Sequence, residues 1–141
     1  MRVLFIEVDT ERAWGIASIG PAFLGAALRD RGHEAELFRA TLDHDVADLV
    51  AVVRDERPDL VGISMTTRQW LRGRSLIAGL RESVDVPVIA GGLHPTFAPE
   101  SVLASPGFDY VCLGEGEGAL LDLVAALALG ERTDTIANIW A

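Results

Sequence analysis

The sequence predicts an open α/β fold, a parallel sheet with helices on both of its faces. Five short apolar runs alternate with five helical patterns along 141 residues, the order that places strands side by side and helices over them. Each run has strand length and closes on glycine or polar groups. The last two runs are the most informative. Val86 to Ala90 is followed by Gly91-Gly92-Leu93-His94-Pro95-Thr96, and Tyr110 to Leu113 by Gly114-Glu115-Gly116-Glu117.

The other three strands are Val3 to Val8, Glu34 to Phe38 and Leu60 to Ser64. A first helix is expected to begin near Pro21, a residue suited to a first turn, and to end at Gly32. Phe23, Leu24, Ala27 and Leu28 recur along it at helical spacing. The second helix spans about Val46 to Arg57, with Pro58 as its stop. The third runs from about Arg68 to Ser83, a short fourth from Glu100 to Ala104, and the last from about Gly118 to Leu129, closed by Gly130. Right-handed crossovers between five such strands give the doubly wound, flavodoxin-like order 2-1-3-4-5 in three α/β/α layers. One domain, residues 1–132, accounts for this pattern. Residues 133–141 hold Ile136, Ile139 and Trp140, which either pack back as a small extra strand or begin a linker to a missing domain.

Composition narrows the chemistry. The net charge of −9 is scattered along the chain, which disfavours nucleic acid and anionic membranes as partners. There is no run long enough to span a bilayer and no signal pattern, so a cytoplasmic location is expected. The single cysteine, Cys112, lies in an apolar strand and reads as a core residue. All twelve basic residues are arginine. Without lysine, a phosphate-binding P-loop and Schiff-base catalysis are both excluded. A phosphoacceptor receiver domain is excluded too, since the third strand ends Ile63-Ser64-Met65-Thr66 with no aspartate.

In this topology ligands bind at the carboxyl ends of the strands. Those ends bring together Asp9, Ser64, Thr66, Thr67, Gly91, Gly92, His94, Thr96, Gly114, Glu115 and Gly116. No nucleophile is paired with a base there, and no metal-ligating cluster is closely spaced. Hydroxyls and bare backbone suit the holding of a large polar ligand. The loop from Thr10 to Gly20 is long for a strand-to-helix connection. Trp14 and Ile16 would lend it apolar surface over such a ligand, unless Trp14 packs on a helix. His94 precedes Pro95, which favours an extended backbone, and either makes a structural hydrogen bond or touches the ligand. His33 and His44 read as surface and turn residues. The Gly114-x-Gly116-x-Gly118 run resembles a dinucleotide fingerprint only superficially, because it follows the last strand and not the first.

Taken in order, several segments resemble the cobalamin-binding domain at the N-terminus of many radical S-adenosylmethionine enzymes. They are Ile19-Gly20-Pro21 to Leu28 with Arg29 to His33, then Pro58-Asp59-Leu60-Val61-Gly62-Ile63-Ser64. Gly91-Gly92-Leu93-His94-Pro95-Thr96 with Pro99-Glu100 follows, and Asp109-Tyr110-Val111 with Gly114-Glu115-Gly116-Glu117 closes the series. The resemblance implies a base-off cobalamin whose nucleotide tail inserts beside the sheet and whose corrin lies on the carboxyl edge. Glycines of the fourth and fifth strands would make room for the tail, while Ser64, Thr66 and Thr67 would bond tail or corrin amides. Cobalamin mutases carry Asp-x-His-x-x-Gly after the first strand, the histidine being a cobalt ligand. Here Asp9-Thr10-Glu11-Arg12-Ala13-Trp14-Gly15 has no histidine, so that ligation is absent and Arg68 or Trp14 is the candidate to cover the lower face. No Cys-x-x-x-Cys-x-x-Cys run occurs. An iron–sulfur cluster and S-adenosylmethionine would therefore belong to a missing C-terminal radical domain of a methyltransferase-like parent, and the chain alone would not catalyse the family's reactions. The alternatives are a nucleotide- or flavin-binding flavodoxin-like domain and a cofactor-free scaffold of the same fold.

Overall fold

The computed structural model describes residues 1–12 and 19–141. Its elements, in order, are β1 (Arg2–Val8), α1 (Ile19–Asp30), β2 (Glu34–Ala40), α2 (Val46–Glu56), β3 (Leu60–Ser64) and α3 (Thr67–Arg81). There follow β4 (Val88–Gly91), α4 (Leu93–Phe97), α5 (Pro99–Leu103), β5 (Tyr110–Cys112), α6 (Glu117–Leu129) and β6 (Ile139–Trp140). The sheet has six strands in the order β2-β1-β3-β4-β5-β6. The first five are parallel and in the order expected. The sixth pairs antiparallel with β5, Val111 opposite Trp140 and Cys112 opposite Ile139. Residues 133–141 thus supply the small extra strand, one of the two outcomes the sequence left open, and Ile139 is buried by it.

Strand side chains alternate between two cores. Val61 and Ile63 of β3, Val88 and Ala90 of β4, and Val111 of β5 face the cluster built with Leu49, Val53, Leu76 and Ile77 of α2 and α3. Leu60, Ile89 and Cys112 face the other side, against Leu28 of α1 and Leu120, Leu123 and Val124 of α6. Continuous apolar runs are what a sheet buried on both faces requires.

One local feature departs from the sequence expectation. His94 is helical, not extended, because α4 places Pro95 in its first turn, where a missing N–H costs no helix bond. The His94 N–H instead donates to the Met65 carbonyl at 3.0 Å. The turn into α4 needs Gly92, whose φ of +94° is one L-residues rarely adopt.

Candidate cofactor site

Above Phe5 of β1, between the first turns of α1 and α6, the sheet carries a cleft of about 180 Å³. Its floor is formed by the carboxyl ends of β3, β4 and β5 on the face that carries Leu60, Ile89 and Cys112. On the opposite face the same strand ends are filled by Ile63, Ala90 and Val111, with Met65 and Trp70 beyond them. On the cleft face they shrink to Gly62, Ser64, Gly91 and Cys112. This asymmetry of size between two faces of one sheet makes the cleft.

The glycines contribute in different ways. A Cβ on Gly62 would lie 3.0 Å from the Phe5 ring, so glycine there makes room for that ring. A Cβ on Gly116 would come to 3.3 Å from Leu24 Cδ2 and 3.6 Å from Cys112 Sγ, narrowing the space between α1 and α6. At Gly91 the nearest atom would be the Cys112 Cβ at 4.0 Å. Nothing among the described residues demands a glycine at 91. The empty volume above it is a cradle that a side chain would fill.

Six of the site residues expected from sequence line this cleft: Ser64, Gly91, Gly92, Gly114, Glu115 and Gly116. Asp9, Thr66, Thr67 and His94 do not. Asp9 is held by Arg39 of β2, whose guanidinium bonds both carboxylate oxygens at 2.9–3.0 Å and whose pKa the bond raises. Thr66 donates through its backbone N–H and its hydroxyl to Gln69 Oε1, at 2.8 and 2.9 Å, capping α3. Thr67 Oγ1 is 3.4 Å from His94 Nδ1, and the His94 ring stacks on Trp70 with centroids 4.6 Å apart. His94 Nε2 is buried without a hydrogen-bond partner, and burial lowers the pKa of the ring, which favours the neutral form. Trp14 and Ile16 lie outside the described residues. Arg68 is paired with Glu11.

Residues that sequence reasoning missed form the apolar part of the cleft. Phe5, Ile89 and Leu120 are all buried, and Pro21 and Leu24 of α1 complete the wall. Strand alternation carried through β3 to β5 would have found the floor; the helix walls needed the packing. Cys112 is a core residue as expected, yet also part of the floor. Burial, with a further contribution from Glu117, pushes its thiol pKa up, so at neutral pH it is S–H and not thiolate. Thr96 joins the two glycine loops: its hydroxyl donates to the Gly92 carbonyl at 2.9 Å and accepts from the Gly114 N–H at 3.1 Å.

The deep lining of this cleft is apolar and its polar groups, Ser64, Glu115 and Glu117, stand at the rim. Among the described residues no group of three or more His, Cys, Asp and Glu side chains could hold a metal, and no helix is long and apolar enough to cross a membrane.

Comparison with known proteins gives the family. Residues 15–124 match the family described as the B12 binding domain. An uncharacterized methyltransferase of Pyrococcus horikoshii is 29% identical, over 99% of this chain and 32% of its own length. The anaerobic magnesium-protoporphyrin IX monomethyl ester cyclase of Rubrivivax gelatinosus is 30% identical, over 92% of this chain and 25% of its own. Among solved structures, the radical S-adenosylmethionine methyltransferase TsrM of Kitasatospora setae, with cobalamin and a [4Fe-4S] cluster bound, superposes with a TM-score of 0.85 at 26% identity. That match covers 98% of this chain and 26% of TsrM. The chain thus spans between a quarter and a third of the length of these relatives.

Proposed function

The chain belongs to the B12 binding domain family and is a cobalamin-binding domain related to those of radical S-adenosylmethionine methyltransferases; from that premise we propose that it holds cobalamin base-off, the nucleotide tail in the cleft between α1 and α6. The observation that carries this reading is the space above Gly91, walled by Phe5, Leu24, Ile89 and Leu120, which no described residue fills. The residues present fit the group. Ser64, Gly91, Gly114, Glu115 and Gly116 border the tail, and the corrin amides meet the rim of the carboxyl edge. Asp9, Thr66, Thr67 and His94 support that rim from outside the cleft. The N-termini of α1 and α6 both open at its mouth, where Glu115 and Glu117 set two carboxylates beside the start of α6.

No histidine of this chain ligates cobalt in this reading. All three histidines lie within the described residues. His33 Nδ1 is 3.3 Å from the N-terminal amine, His44 Nδ1 accepts from the Thr41 N–H at 3.1 Å, and His94 is stacked on Trp70. Cobalamin, when bound, supplies a cobalt centre for one-carbon transfer. The chain's own part is to exclude water from the tail, to fix the corrin's orientation and to leave the lower face without a histidine ligand. A radical S-adenosylmethionine domain C-terminal to it in a longer parent would supply the iron–sulfur cluster and S-adenosylmethionine. The parent's reaction would then be methylation or a related transformation, in the cytoplasm.

The test is titration with hydroxocobalamin, with the visible spectrum and stoichiometry read after desalting. Retention of one corrinoid per chain is expected. After reduction to the Co(II) form, the electron paramagnetic resonance spectrum should lack axial-nitrogen superhyperfine splitting. Nitrogen splitting would overturn the base-off, histidine-free assignment, and failure to retain any corrinoid would overturn cofactor binding by this chain.

A further inference from the structure

We infer that the cleft between α1 and α6 selects among corrinoids by the polarity of the lower base, taking an apolar benzimidazole and discriminating against a purine. The inference rests on the tail entering this cleft and goes on to say which tail it accepts.

The deep end of the cleft is made of Phe5, Ile89, Cys112 and Leu120, each less than a tenth exposed. Leu24 and Pro21 face them from α1. None of these side chains carries a nitrogen or oxygen atom. The one heteroatom is the Cys112 sulfur, a weak donor and a weak acceptor. Beneath them the β4 backbone offers no substitute, because Ile89 and Ala90 are paired with both β3 and β5. The polar groups of the cleft stand elsewhere. Ser64 closes β3 at the rim, and Glu115 and Glu117 are exposed at the mouth.

The lower bases of natural corrinoids differ chiefly in their six-membered ring. In 5,6-dimethylbenzimidazole that ring carries carbon and two methyl groups. In adenine it carries two ring nitrogens and an exocyclic amine. An apolar ring gains contact with the Phe5, Ile89 and Leu120 walls. A purine must give up hydrogen bonds to water and finds no partner at depth, which disfavours it by roughly ten- to a hundredfold.

The experiment compares cobalamin, its adenine-based analogue pseudocobalamin, and cobinamide, which lacks the base altogether. Affinity for the wild-type chain is measured by equilibrium dialysis with the visible spectrum as readout. Cobalamin should bind on the order of tenfold or more tightly than pseudocobalamin. A Leu24→Gln variant, which sets an amide into the wall at a half-exposed position, should narrow that ratio while an unliganded thermal melt confirms that it folds. Equal affinity for the two complete corrinoids, both above cobinamide, would overturn the selectivity and leave tail insertion standing. Cobinamide binding as tightly as cobalamin would instead overturn tail insertion itself, and the selectivity with it. Binding of none of the three would overturn both.

Discussion

A methyl group added to Gly91 would meet nothing nearer than the Cys112 Cβ at 4.0 Å, whereas one added to Gly92 would sit 2.9 Å from the backbone N and O of Met65. Gly92 also has φ +94°, and Gly91 lies in β4. The two adjacent glycines therefore answer different demands, one for empty volume and one for a turn. Gly91→Val is expected to unfold in urea within about 0.5 kcal/mol of the wild type yet to lose cobalamin retention. Gly92→Val should be destabilised by roughly 1–3 kcal/mol or more, whatever it does to the cofactor, and urea unfolding of the apo protein separates the two. At His94 the relevant quantity is pH. Its folded pKa lies below the ordinary 6.5, so the unfolded chain binds the proton more readily. The neutral ring's contribution to stability is complete above about pH 6.5 and is lost as pH falls from there towards the folded value. Urea midpoints measured from pH 7.5 down to 5 should fall more steeply for the wild type than for His94→Phe, which keeps an aromatic ring against Trp70.

At the scale of elements, one side chain joins the end of β1 to the start of α3. Gln69 Oε1 accepts both Thr66 donors, and its Nε2 donates to the Val8 carbonyl at 2.8 Å. Gln69→Leu removes the cap and the tether together and should cost about 1–2 kcal/mol, read by thermal or urea unfolding. Gln69→Glu keeps the acceptor and loses the tether, and should fall between. The Thr66-x-x-Gln69 spacing, a capping signal that a helix start at about Arg68 passes over, marks this start in the sequence. The five parallel strands and their order were equally legible, because alternating βα units leave few topologies. One element was not, and another was legible only as one of two outcomes. Helix α4 hides behind the His94-Pro95 dipeptide, an extended signal that the first-turn position cancels. Strand β6 has two residues, too few for any period, and exists because the Val111 and Cys112 edge accepts it. The site divides the same way. Strand-end glycines were visible as punctuation, while Pro21, Leu24 and Leu120 became walls only once α1 and α6 were packed.

For the molecule as a whole, the sheet separates two cores with different tasks. The face of α2 and α3 is filled to the strand ends by Met65, Trp70 and Phe108. The face of α1 and α6 is filled only at its base, by Leu28, Leu60, Leu123 and Val124, and leaves its carboxyl half to the cleft. A ligand that binds only the folded chain adds stability of RT ln(1 + [L]/Kd), about 2.7 kcal/mol at a hundredfold excess over Kd. That gain need not be spread evenly over the fold, because local openings draw on the least packed regions first. Cobalamin in the cleft completes the half-filled core, so amide hydrogen exchange should slow most in the first turns of α1 and α6 and in the 114–116 loop. The α2 and α3 amides should change only through global unfolding. Gly91→Val supplies the contrast: its exchange pattern with cobalamin present should match the unliganded wild type. Protection concentrated in α2 and α3 instead would place the tail on the opposite face, where Trp70 and His94 already occupy the space.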